Sequence, residues 1–453
     1  MPLRAVCLAS VFFAAIITAL GIDRYVTYHS GADLGEFVQT ISSPLTGFGD
    51  TAEGGSHFLH HFSPLLYLCS PLLLIFRTPI VLIALQAVAA ALVAPPVFLF
   101  ARRRMPDSLA ALVAVVALIY PPLVGVAFTD FHENGFAAAA IAWLIWAVDA
   151  RRYALAALFV AIALAIKEDE ALILFVLAIG FAIFSLRRGD RTGTQLAIMT
   201  AMASAMVLLA FFALIRPLAG AHGTWFAINY YEGHASDAPH GAAIVLGRVA
   251  FLAEALLPLA SVPLATLAIL LAVPGLVEVL ASRWPITYTM GQHYAGVWIG
   301  EMLIAFAFGV AAIFRRNAGS ARMLVRISIV LCLLNLAVAS PTHWAHFLGP
   351  KTTHDRALDA LLARIPPAAS VATYDEVYAH LGFDPNAQMG FEPNPFPQYA
   401  LFDARYDSVA WRRVYRPRLD ALLRDGRYRP LVTIDGATLY AAGQGRTTAL
   451  QER

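Results

Sequence analysis

Four short runs carry the side chains whose types and spacing suit chemistry. They are Gly31-Ala-Asp33-Leu-Gly-Glu36-Phe, the histidine-rich stretch His57 to Ser63, Asp130-Phe-His132-Glu133, and Lys167-Glu168-Asp169. Each lies beside a long apolar segment, where a charge is costly and needs a reason. A carboxylate in a loop close to a helix end can take the proton from an attacking hydroxyl. Asp33 is the first candidate for that role and Glu36 the second; the alternative for Asp33 is a helix N-cap. An ammonium at a membrane boundary can hold a phosphate as a point charge. Lys167 ends an apolar stretch in a chain that otherwise uses arginine almost throughout, so it is the candidate for phosphate contact. Its alternatives are pairing with Glu168 or Asp169, or reaching to the surface. His61, next to Phe62-Ser63-Pro64, can hydrogen-bond the same phosphate, or simply cap its loop. Asp130, His132 and Glu133 offer hard oxygens and an imidazole to a divalent cation such as Mg or Mn; the alternative is a hydrated loop. Glu168, Asp169, His293 and Tyr294 complete the candidates for lining one cavity.

The elements that must position these residues follow from composition. Of 453 residues, 59% are hydrophobic and only 14% charged. So much apolar length cannot be hidden in one soluble core, so the chain must cross a membrane several times. A disordered chain, a nucleic-acid-binding protein and an ordinary soluble enzyme are all excluded. Cys7, Cys69 and Cys332 sit in apolar stretches and read as small core residues. Apolar segments of spanning length begin at Ala5, Pro79, Leu109, Gln195, Val249 and Gly296, with shorter ones between them and a last one from Ile327 to Ala339. The first reads as a retained span, with a cleaved signal peptide as the alternative. The proline-broken Val249 to Ser282 segment reads as a helical hairpin. Pro64 to Phe76 is too short to cross and reads as interfacial or re-entrant.

Arginine clusters at 102–104, 151–152, 187–191 and 315–326 fall on one side if the chain alternates. Positive clusters stay in the cytoplasm, so the N-terminus is expected inside and all four functional runs outside, with about 11 spans. The expected organisation is therefore an all-α polytopic membrane bundle over 1–345, with a long first outer loop at 23–78. A small extracytoplasmic α/β domain follows over 346–453, where the composition becomes charged and proline-rich. Within it His354 to Arg364 and Ala410 to Arg424 read as helices, the second broken by Pro417. Ser370 to Tyr374, Tyr399 to Asp403, Arg429 to Ile434 and Thr438 to Ala441 read as strands, the last two joined by an Asp435-Gly436 hairpin turn.

The runs Asp33-Leu-Gly, His61-Phe-Ser-Pro-Leu-Leu-Tyr-Leu, Asp130-Phe-His132 and Lys167-Glu-Asp resemble those of a family of bacterial predicted membrane proteins without an assigned activity. That family is similar to the glycosyltransferase-C superfamily, whose members use lipid-phosphate-linked sugars. The resemblance implies that Asp33 corresponds to the first-loop acid and Lys167 to a position near the donor phosphate. Val38 stands where a second loop acid is usual, which leaves Glu36 as its substitute. The implied activity is an inverting glycosyltransferase in the bacterial cytoplasmic membrane. It would move a sugar from a polyprenyl-phosphate donor to a glycan, lipid or protein acceptor at the outer face. A lipid or solute transporter or flippase, with its charges lining a path through the bilayer, is the rival expectation. A non-catalytic envelope scaffold is a third.

Overall fold

The computed structural model describes residues 2–221, 223–225, 227–232, 241–338, 347–391, 396–409 and 411–443. Ala339, Ala410 and the expected domain boundary at 345/346 lie outside the described residues. The chain divides into two compact units. One, the membrane unit, comprises Met1–Gly21, His57–Pro71 and Ile80–His346. The other, the sheet unit, comprises Ile22–Ser56, Leu72–Pro79 and Phe347–Arg453, so most of the first long loop groups with the C-terminal residues.

Among the described residues of the chain, seven helices are long and apolar enough to cross a membrane. They are Pro2–Val26, Ile80–Ala101, Glu168–Arg187, Arg191–Ala219, Ala242–Leu259, His293–Arg316 and Ala318–Val338. An eighth span arises if Asp107–Leu118 and Pro121–Phe128, bent by 47°, are taken together. The bend has a local cause. Pro121 and Pro122 open the second helix and lack the N–H that would continue the first, and Tyr120 before them is held extended. Tyr153–Leu164 and Leu66–Phe76 are apolar but have only 12 and 11 residues, short of a straight crossing. The expected second limb of the proline-broken hairpin is not one helix. Past Leu259 the chain runs through the 3₁₀ turns Val262–Ala265 and Leu267–Leu271 into the nine-residue helix Val273–Ala281. Pro258, Pro263 and Pro274 each remove a helical donor along this path.

Burial separates the spans. Most of His293–Arg316 is buried, with Trp298, Ile299, Leu303 and Phe306 fully enclosed. Gly300 permits this: a Cβ there would stand 2.6 Å from the Ala138 carbonyl oxygen, so the two backbones touch as small residues allow in membranes. Arg191–Ala219 instead exposes Met199, Met202, Met206 and Leu209, as a helix facing lipid would.

In the sheet unit five strands form one mixed sheet in the spatial order Ala387–Met389, Val371–Thr373, Tyr399–Asp403, Ala437–Ala442, Tyr428–Ile434. The first three are parallel and the last two antiparallel to their neighbours. Asp435 and Gly436 turn the hairpin with φ of 49° and 94°, the left-handed pair that matches strand twist. Thr352 and Asp355 form a reciprocal cap on the Thr353–Leu362 helix. Leu358, Leu361, Val377, Leu401, Phe402, Leu419 and Leu439 fill the core between helices and sheet.

Candidate functional site

Most of the candidate residues belong to the membrane unit, on loops where spans begin or end. Gln86, 1% exposed on the Ile80–Ala91 helix, clamps the Asp130 loop. Its amide nitrogen donates to the carbonyls of Thr129 (2.9 Å) and Asp130 (3.3 Å), and its oxygen accepts the His132 N–H at 2.8 Å. The clamp leads into the 3₁₀ turn Glu133–Phe136 and buries Glu133 completely.

Glu133 meets the ammonium of Lys167 at 3.2 Å, with Asp169 at 3.8 Å and the Asn134 side-chain oxygen at 3.5 Å from the same nitrogen. Lys167 is only 5% exposed. Burial by itself would drive off its proton, but the Glu133 carboxylate, then Asp169, outweigh it and hold the amine well above its ordinary range. For Glu133, burial likewise opposes the charge, and Lys167 reverses it and holds the carboxyl below its ordinary range. The pair is ionised in the interior. Lys167 does not take Glu168 as its main partner. Glu168 accepts from His61 Nδ1 at 2.7 Å and from the Phe62 backbone N–H at 2.7 Å, which ties the histidine loop to the start of the Glu168–Arg187 helix.

The same loop is held from its other side. Arg216 donates to the Leu59 carbonyl at 3.0 Å and Trp225 Nε1 to the His60 carbonyl at 2.8 Å. The His132 and His293 rings stack with centroids 3.4 Å apart, 11° from parallel, and Tyr294 packs on His293 at 4.0 Å. His61, Asn134, Lys167, Asp169 and Tyr294 thus share one cavity, whose remaining wall includes Trp225, Tyr230, Tyr231 and Glu278. The lining offers one ammonium, an imidazole, two carboxylates and several aromatic faces, groups of the kind that contact hydroxyls and anions, around a volume of about 40 Å³ that has room for a few waters in this state.

Sequence reasoning missed several of these side chains. Gln86 and Asn134 carry no charge and gave no signal. Glu278 and Glu301 did: each is a lone acid within an apolar stretch. Glu170 directly follows the Lys167-Glu-Asp run. Glu170 and Glu301 are 0% and 1% exposed, and among the described residues their carboxylate oxygens have no hydrogen-bond partner.

Asp33 and Glu36 belong to the sheet unit. Both lie half-buried on the Ala32–Ser42 helix, three residues apart and so on neighbouring positions of its surface. Asp33 is not the N-cap. That position is held by Gly31 without a side-chain cap, and Asp33 falls inside the first turn, where the helix dipole favours a carboxylate.

Residues 24–439 match the family described as predicted membrane protein (DUF2079). The chain belongs to that family. No curated protein matches its sequence with significance. Among solved structures it is similar to ArnT from Cupriavidus metallidurans bound to undecaprenyl phosphate, with a TM-score of 0.60 and 12% identity, covering 96% of this chain and 97% of that one. The apo form of the same ArnT matches with a TM-score of 0.59, 12% identity and coverage of 95% and 97%. The archaeal oligosaccharyltransferase AglB from Archaeoglobus fulgidus, in complex with an inhibitory peptide and a dolichol-phosphate, aligns at 14% identity with a TM-score of 0.43, over 96% of this chain and 74% of that one. The fold of this DUF2079 chain is thus similar to that of ArnT over nearly the whole length of both chains.

Proposed function

We propose that the protein is an integral-membrane glycosyltransferase. It takes a sugar from a polyprenyl-phosphate donor and passes it to an envelope acceptor at the outer face of the bacterial cytoplasmic membrane. The observation that carries this reading is the cavity of the membrane unit, where the buried Lys167 ammonium and His61 stand among aromatic faces. The fold around it is shared with an ArnT that binds undecaprenyl phosphate.

In the proposed reaction Asp33 takes the proton of the acceptor hydroxyl, with Glu36 as its neighbour in support. The oxygen attacks the anomeric carbon, the bond from that carbon to the phosphate oxygen breaks, and the polyprenyl phosphate leaves. Lys167 and His61 meet the negative charge that develops on the phosphate. Asp169 and Tyr294 line the cavity; Glu168 and His293, expected there too, are not in its wall, Glu168 instead holding His61 and His293 stacking on His132. A divalent cation at Asp130, His132 and Glu133 fits less well than their spacing suggests, because Glu133 is already engaged by Lys167. The ring nitrogens of His132 and His293 come within 4.8 Å of one another, close enough for both to reach one ion. No step requires that ion.

The test is lipid and glycan profiling of a deletion strain beside an Asp33→Asn strain. Both should accumulate the same lipid-linked sugar, which names the donor. Unaltered glycan output from correctly inserted Asp33→Asn protein would overturn the role given to Asp33.

One observation favours the rival transporter or flippase reading: Glu170 and Glu301 are intramembrane carboxylates of the kind that ion-coupled carriers use. Reconstituted protein that moves a lipid or solute across vesicles, in a way abolished by Glu301→Gln, would support it.

A further inference from the structure

Gln39 lies six residues after Asp33 on the Ala32–Ser42 helix and is 3% exposed. Its amide nitrogen donates to the carbonyls of Asp384 (2.8 Å) and Ala387 (3.1 Å). Its oxygen accepts from the Thr51 N–H (2.7 Å), the Thr51 hydroxyl (3.0 Å) and the Tyr378 hydroxyl (2.9 Å). Both amide protons and the oxygen are therefore in use, which fixes the orientation of the group completely. The partners come from the loop that follows the helix, from the Asp375–Leu381 helix and the Ala387–Met389 strand, and, for Asp384, from the turn between those two.

Backbone packing reinforces this. A Cβ on Gly35 would stand 2.8 Å from the Tyr378 carbonyl oxygen, and one on Gly382 would stand 2.7 Å from the Gly35 carbonyl oxygen. The backbones meet closely here, with the Tyr378 ring and the Val38 side chain packed beside the contact. At about 100° per residue, Gly35 and Gln39 fall on one face of the helix, and Asp33 falls roughly 120–160° away from them. The docked face is locked, and the carboxylate is presented on the other.

We propose that Gln39 and Tyr378 are positioning residues for the acid on this helix: the C-terminal domain sets the rotation and axial position at which Asp33 works. The inference rests on the glycosyltransferase reading above and adds a role for the C-terminal sheet, which touches no substrate in that scheme. Without the Gln39 bonds the helix keeps its apolar packing but loses its fixed rotation. A base misplaced by an ångström loses on the order of a hundredfold in rate.

The experiment uses the full-length protein in membranes and the lipid-linked sugar isolated from the deletion strain. Gln39→Met keeps the side-chain length and removes all the polar bonds, while Tyr378→Phe removes one hydroxyl and is the milder variant. The expected result is a fall in kcat of roughly tenfold to a hundredfold for Gln39→Met and less for Tyr378→Phe. The KM for the donor should stay within about twofold, because its phosphate contacts lie in the membrane unit. Amide exchange over 32–42 should rise in both. Faster exchange with unchanged kcat would overturn the positioning role. Full activity of Asp33→Asn would instead overturn the underlying function, whatever the Gln39 variants do.

Discussion

Glu170 and Gln39 are both buried polar side chains on helices, and the two units treat them in opposite ways. Glu170 and Glu301 in the membrane unit have carboxylate oxygens with no hydrogen-bond partner among the described residues. Lys167, the buried lysine of this unit, is held by Glu133 and Asp169. In the sheet unit the Gln39 amide is saturated, and the Tyr28 hydroxyl donates to Asp359 at 2.9 Å. A group with all its bonds made holds a structure still. A buried charge held by a single partner is more responsive, since removing that partner strands it. The membrane unit therefore holds buried carboxylates without hydrogen-bond partners among the described residues, while the buried Gln39 of the sheet unit has its bonds made.

The largest effect that could break this contrast is at Lys167. Lys167→Met leaves Glu133 charged and enclosed without a partner and should cost about 3–5 kcal/mol. The double variant with Glu133→Gln should regain most of that loss, as measured by thermal unfolding in detergent. If the single variant is as stable as the parent, the pair is not the internal anchor described here. Next is Glu168→Gln, which weakens the charge-assisted contacts to His61 and Phe62 and should cost about 1.5–3 kcal/mol. Protease sensitivity of the 57–63 loop should rise with it.

A pH experiment sharpens the other side of the comparison. His380 is stacked between Tyr25 and Tyr28, with centroids at 4.3 and 4.1 Å, and burial pushes its imidazole down to about 4 from 6.5. Between those values the unfolded chain binds the extra proton, so this stability is complete above about 6.5 and lost as pH falls towards about 4. Glu376 acts in reverse. Burial, then the charges of Asp375 and Asp403, raise it to about 7 from 4.5, so its contribution is present below about 4.5 and lost as pH rises through about 7. Replacing His380→Phe should remove the loss of Tm that this imidazole causes between about pH 6.5 and 4 and leave the Glu376 contribution in place. The smallest effect should come from Arg412→Ala, because Arg412 and Asp407 pair at 3.1 Å with side chains 60% and 64% exposed. No measurable change in Tm is expected there.

Several elements were legible in the sequence for definite reasons. The strands at Tyr399–Asp403 and Tyr428–Ile434 carry β-branched or aromatic residues, and the Asp435-Gly436 pair marks its turn by type alone. The Asp375–Leu381 helix and the Ala387–Met389 strand escaped, because seven and three residues are too few to show a period. The spans were legible as apolar runs: about 11 were expected, and among the described residues seven helices, or eight with the bent pair taken as one, meet the length and composition of a crossing. A run of 12 apolar residues such as Tyr153–Leu164 looks much like a span until its helix is seen to end.

The sequence by itself determined that the chain lives in a membrane, where its arginines cluster, and which few polar residues stand in apolar surroundings. These are local properties, set by the cost of placing charge beside lipid. Only the tertiary structure decided what each polar group does. It gave Lys167 to Glu133 in place of Glu168, stacked His132 on His293, and joined Gln39 to Asp384 across 345 residues of chain. A hydrogen bond depends on atoms brought within about 3 Å of one another. Which distant segments meet at that distance is fixed by the packing of whole helices and strands, and no short pattern of residues contains it.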